Sequence, residues 1–167
     1  MRIASVDVFY LSLPATTEAA DGTQDSALVR VRDEGGLEGW GECDASPLVT
    51  IATYTCPTSH GNIMNLQSSL VGERLESPAD LRRIADRALR RGLDIEQIHH
   101  ALSGAEIALW DLLGKRLGEP VWRLLEGNGR AARAHPKLPY GSVLFADFLM
   151  TGALTWIFCS TAFGSIF

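Results

Sequence analysis

Residues 94–127, DIEQIHHALSGAEIALWDLLGKRLGEPVWRLLEG, constrain the fold more than any other part of the chain. Ile95, Ile98, Leu102, Ala105, Leu109 and Leu112 recur at steps of three and four, and Ala101, Ala108 and Leu113 widen that stripe beyond what a surface helix carries. The spacing therefore predicts a largely buried helix over 95–117, with Asp94 as its cap and Gln97 reaching back as in a capping box. Gly118 suits the left-handed position that ends a helix, and Pro120 both blocks continuation and opens the next helix at its first turn.

A helix buried on most sides needs a sheet and other helices to lie against. Residues 2–13 alternate, with Val6, Val8 and Tyr10 on one side and Asp7, Phe9 and Leu11 on the other, and Pro14 ends the run. In 26–33, Ala27, Val29 and Val31 oppose Leu28, Arg30 and Arg32. The pair Gly35–Gly36 is placed to supply the positive backbone angles of a hairpin, and 37–43 returns as the partner strand. Three strands joined this closely predict an antiparallel meander with helices over one face, an α+β domain. Gly39 and Gly41 leave one face of the third strand without side chains, open to close approach by another backbone. Trp110 is then expected between the long helix and the sheet. A further helix over 78–91 begins at Ser77, with Pro78 first and Asp80 three residues from the cap. Its stripe is Leu81, Ile84, Ala85, Ala88 and Leu89, opposite a run read as a solvated face, Arg82, Arg83, Arg87 and Arg90.

Composition limits what such a domain does. At 167 residues, 46% hydrophobic and 21% charged, the chain can bury a real core. A net charge of −5 gives no basic footprint for nucleic acid. Cys43, Cys56 and Cys159 are odd in number and widely spaced, which reads as reduced thiols in a cytoplasmic protein. Cys56 and His60 have the spacing of half a zinc site, without a second ligand pair at a suitable distance. Glu42 reads as a strand-edge carboxylate in a polar contact rather than an acid–base group, since it lacks a partner carboxylate or metal cluster. His99 and His100, adjacent on the long helix, point in different directions and read as packing or surface residues.

Ala108 to Leu112 (ALWDL), Gly114–Lys115, Leu117–Gly118, Pro120–Val121 and the closing Leu124, Leu125, Glu126 and Gly127 resemble the enolase superfamily, in its mandelate racemase and muconate lactonizing branch. Glu126 departs from the usual LLGG ending. The GWGE of Gly39 to Glu42 is a second resemblance to that branch. The resemblance implies an enolase-like N-terminal capping domain over 1–127, a junction and first strand of a TIM-type barrel over 128–147 (LPYGSVLF, 138–145, being the strand), and an uncharged apolar tail over 148–167.

In the resembled family the barrel carries lysine or histidine acid–base residues and three carboxylates that hold magnesium. The reaction is proton abstraction α to a carboxylate, giving racemisation or dehydration of hydroxy acids or acid sugars. None of those barrel positions occurs in this chain, which is read as a truncated member, not catalytic alone, with no cofactor of its own. Small carboxylates are the substrates and homo-oligomers a state of the full-length relatives.

Two loops of the capping domain reach over the barrel mouth in the family. By position, Thr17, Asp21, Thr23 and Gln24 in the first, and Ser46 and His60 in an irregular 46–62 stretch, are the substrate-contact candidates. For 148–167 three readings stay open: a read-through or frameshift tail, a membrane anchor, and displaced barrel sequence. The alternative to a capping domain is a small membrane-tethered or partner-binding α+β protein.

Overall fold

The computed structural model describes residues 1–12, 25–43, 46–60, 63–92, 95 and 97–125. The chain forms two compact units, Met1–Val121 and Trp122–Phe167. The first contains β1 (Ile3–Leu11), β2 (Ser26–Asp33), β3 (Glu38–Cys43), α1 (Pro47–Thr55), α2 (Leu66–Leu70), α3 (Pro78–Arg91) and α4 (Ile98–Leu117). Of the second, residues 122–125 are described and are helical. No helix among the described residues is long and apolar enough to cross a membrane. The strand expected at 138–145 and the tail 148–167 lie outside the described residues.

The three strands form the expected meander, ordered β1-β2-β3 and antiparallel throughout. Ala27, Val29 and Val31 are fully buried on the face that α4 covers. In β1 the register shifts between Ile3 and Ser5, so that Ile3 and Val6, three residues apart, are both buried. The hairpin turn differs from expectation: only Gly36 has a positive φ, +83°. Asp33 does the rest, its carbonyl accepting from Gly36 N–H at 3.0 Å and its carboxylate from Leu37 N–H at 2.8 Å. A side chain closing the turn removes the need for a second left-handed residue.

Helix α4 lies directly on β3. A Cβ on Gly41 would stand 2.1 Å from the Gly104 carbonyl oxygen, and one on Gly39 2.1 Å from that of Ala108. Side chains of α4 then cap the outer edge of β3. Asp111 accepts from Trp40 N–H at 2.9 Å, while Lys115 donates to the Glu38 carbonyl at 2.9 Å and to Asp111 at 2.7 Å. Backbone groups of an edge strand are thereby satisfied, which closes that edge to further pairing. The helix ends as read, on Gly118 at φ +67°, with Glu119 N–H reaching the Gly114 carbonyl at 3.0 Å.

Its start is three residues later than expected. Gln97 holds the cap position without a side-chain bond, and Asp94 lies outside the described residues. Two backbone hydrogen bonds lead into the helix, Ile95 N–H donating to the Gly92 carbonyl and Ile98 N–H to that of Ile95. Trp110 is buried, 5% exposed. It does not sit between helix and sheet, however, because two residues past Ala108 is about 200° around the helix, the side turned away from β3.

Helix α3 spans the expected residues and buries Leu81, Ile84, Ala85 and Ala88, and Ser77 caps it by accepting from Asp80 N–H. Its arginines are not all a solvated face. Arg83 and Arg87 both pair with Glu73, which is only 8% exposed, and Arg83 also donates to the Arg74 carbonyl at 2.7 Å. Two guanidiniums and the fork geometry of arginine make a buried carboxylate tolerable where one exposed pair would not. Glu73 in turn holds the edge of β1, its carbonyl accepting from Ile3 N–H at 3.0 Å.

The stretch expected to be irregular, 46–62, contains α1. Pro47 read as a breaker, but at the first helical position its missing N–H costs nothing. Threonines lower the intrinsic propensity of this helix, and tertiary contacts override that. Tyr54 is fully buried and donates to the Ala101 carbonyl at 2.7 Å, and Thr50 lies against Cys43. Burial first of all pushes the Tyr54 phenol well above its ordinary pKa, so it stays a donor.

Glu106, partly buried on α4, is pushed up to about 7, chiefly by loss of solvent and secondarily by Asp86 of α3. A carboxyl held more basic in the folded state favours folding below its unfolded pKa of 4.5, and that contribution is lost as pH rises from there through about 7. Glu106 alone is expected to make the fold about 2–3 kcal/mol less stable at pH 8 than at pH 4. Urea midpoints measured across that range should fall less steeply with pH in Glu106→Gln than in the natural chain. Parallel curves would contradict the assignment.

Candidate functional site: the loop end of the sheet

Antiparallel order brings the C-terminal end of β1, the start of β2 and the C-terminal end of β3 to one end of the sheet, with Leu11 opposite Ser26 and Ala27 opposite Cys43. The connections 13–24, with four of the candidates, and 44–46, with Ser46, leave from here, while His60 lies beyond α1. Neighbouring residues at the start of β2 point to opposite faces, as any strand requires. Asp25 accepts from the Tyr10 hydroxyl of β1 at 2.8 Å, and Ser26 donates to Glu42 of β3 at 2.6 Å. Glu42 is thus in the strand-edge polar contact expected of it. Leu11, the last residue of β1, and Leu48 and Val49, on the first turn of α1, are exposed apolar side chains.

Of the six candidates, Thr17, Asp21, Thr23 and Gln24 lie outside the described residues. Ser46 is exposed at the N-cap position of α1, without a side-chain capping bond. His60 is also exposed, in the left-handed region at φ 47°, with its Nδ1 2.9 Å from Ser59 Oγ. The nine-residue helix α1, about 13 Å long at 1.5 Å per residue, separates Ser46 from the segment that carries His60. Tyr10 and Asp25 escaped the sequence reading because Tyr10 fitted the strand alternation so well. An exposed tyrosine on the helix-side register of a strand is the signal that could have marked it.

The arrangement can bind and orient; it is poorly equipped for proton abstraction. The hydrogen bond that Tyr10 donates to Asp25 foremost holds its phenol above the ordinary pKa, so at neutral pH it is a donor and not a base. Among the described residues no group of three or more His, Cys, Asp or Glu is placed to hold a metal ion. These residues do not fit a magnesium centre, and no chemical step is assigned to one in this chain. Cys43 and Cys56 are free thiols, Cys43 buried with its Sγ donating to the His100 carbonyl at 3.1 Å.

A three-stranded meander backed by a helix that touches β3 through two glycines, with the connections 13–24 and 44–46 at one end, defines an α+β domain of the enolase N-terminal type. The model of the mandelate racemase / muconate lactonizing enzyme N-terminal domain matches residues 7–126, and the chain belongs to this family. Among solved structures, a predicted mandelate racemase from Rhodobacter sphaeroides is similar with a TM-score of 0.70 and 52% identity, over 74% of this chain and 32% of that one. A mandelate racemase/muconate lactonizing protein from Paracoccus denitrificans, complexed with magnesium, is similar with a TM-score of 0.55 and 30% identity, over 74% and 30%. Among curated proteins, cis-3-hydroxy-L-proline dehydratase of Roseibium aggregatum is 28% identical over 76% of this chain and 35% of its own length. The o-succinylbenzoate synthase of Geobacillus kaustophilus is 34% identical over 71% and 30%. The chain spans about a third of the length of these relatives.

Proposed function

We propose that this chain supplies the substrate-capping part of a reaction in which the proton α to a carboxylate is removed, with magnesium stabilising the resulting enediolate, as in racemisation or dehydration of a hydroxy acid or acid sugar. The observation that carries this reading is the family match over 7–126 together with the departure of the connections 13–24 and 44–46 from one end of the sheet. Support comes from the substrates in the names of two relatives, the cis-3-hydroxy-L-proline dehydratase above and a D-galactonate dehydratase of Klebsiella pneumoniae, both small carboxylates. Magnesium belongs to the barrel in this family and would supply charge stabilisation there. Residues 13–24, 46 and 60 would contact the part of the substrate that does not react, fixing which acid fits. Residues 128–147 would lead into the first barrel strand, and one strand cannot assemble a barrel active site.

Proton abstraction next to a carboxylate needs a base within hydrogen-bond reach and donors or cations aimed at the developing charge. The purified chain with magnesium is therefore expected to leave the α-protons of galactonate and of hydroxyproline unexchanged in deuterated water. Exchange above background that survives purification and stops on chelation would overturn this reading and point to Glu42, Asp44 and His60 as an unrecognised centre.

A further inference from the structure

We infer that Asp25 and Ser26 form a fork that fixes where both connections leave the sheet, making Tyr10 and Glu42 positioning residues for the candidate substrate loops; the inference rests on the capping role proposed above. The two tines are adjacent in sequence and lie on opposite faces of the sheet. On one face the Asp25 carboxylate holds the hydroxyl of Tyr10, one residue before the last of β1. On the other, the Ser26 hydroxyl holds the Glu42 carboxylate, one residue before the last of β3. A two-residue segment thereby ties the last turn of pleat on β1 to that on β3, although β1 and β3 are not neighbours in the sheet.

Neither bond is part of the core, whose strand residues at this end, Ala27 and Cys43, are apolar and buried beside them and continue along β2 at Val29 and Val31. Both bonds are solvent-exposed, so each contributes little to overall stability. What they constrain is local. With the fork intact, a displacement of the end of β1 is passed through residues 25 and 26 to the end of β3, so the two strand ends keep a fixed separation. The order of the strands alone does not give this, since β2 could fray at its start and let the two exits move independently.

Residue-resolved amide exchange on the whole chain tests the coupling. Ser26→Ala removes a bond to β3, yet is expected to speed exchange about fivefold at Leu11 and Ser12 on β1 as well as at Cys43. Tyr10→Phe, which removes a bond to β1, is expected to do the same at Glu42 and Cys43. Val29 and Val31 should keep their natural rates in both variants, and Ser26→Thr, which restores the hydroxyl, should restore the natural rates at the ends.

Changes confined to the strand whose bond was cut, equal acceleration at Val29 and Val31, or no change at all would each overturn the fork. Should Ser26→Ala fail to fold, Tyr10→Phe decides alone, because loss of one exposed hydroxyl leaves the ring in place. Turnover tests the capping role separately: coupled ends in a chain with its own proton-exchange activity would refute the capping reading and leave the fork standing.

Discussion

Replacing Gly39 and Gly41 together by alanine is expected to prevent the domain from folding, and either single change should cost at least about 3 kcal/mol in chemical denaturation. At Gly41 the added carbon would lie 2.1 Å from the Gly104 carbonyl oxygen and 2.8 Å from the Ala108 nitrogen; at Gly39, 2.1 Å from the Ala108 carbonyl oxygen and 2.7 Å from the Leu112 nitrogen. These are backbone atoms of one helix, and no rotamer change can clear them. The helix would have to lift from β3, and lifting it would strip the capping bonds that Asp111 and Lys115 make to the β3 edge. Overpacking of a core usually costs about 1–3 kcal/mol, and the rigid neighbours here place the cost at or beyond that upper bound. Gly36→Ala is the control. Its φ of +83° makes the change unfavourable, but nothing lies within 4 Å of the added carbon, so a cost of about 1 kcal/mol is expected. Similar losses at positions 36 and 41 would mean that backbone freedom, not close approach, explains the GWGE pattern.

That pattern shows which features a sequence can reveal. Bare glycines at alternate positions of a strand have few physical explanations, and the close approach of α4 was readable from them. The periodicities of β2 and α3 were equally clear, because each element buries a face with a regular period. The misreadings arose where a side chain from a distant part of the chain decides the local structure. Pro47 marks a break in isolation and a helix start in context, and only the seating of Tyr54 against α4 shows which. The arginines of α3 look solvated until Glu73, which precedes them by some ten residues, is seen folded under two of them. Asp94 and Gln97 have capping-box spacing, but the helix begins at Ile98 with Gln97 itself at the cap position.

The loop end of the sheet was legible only as a long connection after β1 and an irregular stretch after β3. The pairing of Tyr10 with Asp25 and of Ser26 with Glu42 depends on strand register, which alternation suggests but does not number. The family resemblance supplied the capping role, and the residues by themselves supplied neither a substrate nor a base. What the structure adds is the common departure point of the two connections and the hydrogen bonds that join their roots.

Trp110→Ala is expected to destabilise the domain by about 3–5 kcal/mol, the range for truncating a large buried side chain. At 5% exposure almost the whole indole is out of water, and alanine would leave a void that rigid helical neighbours fill poorly. Its place on α4, about 200° from Ala108, separates this effect from that of the glycines. Losing Trp110 should leave the contact of α4 with β3 intact, whereas crowding Gly39 or Gly41 should break it. Amide exchange at Trp40, whose N–H is held by Asp111, distinguishes the two. In Trp110→Ala it should accelerate only as far as overall stability falls, while in Gly41→Ala it should lose protection beyond that. A loss below about 1 kcal/mol for Trp110→Ala would show that the indole contributes little despite its burial. Trp110→Phe, which keeps most of the buried apolar surface, should recover more than half of the lost stability, because the cost follows the volume left empty.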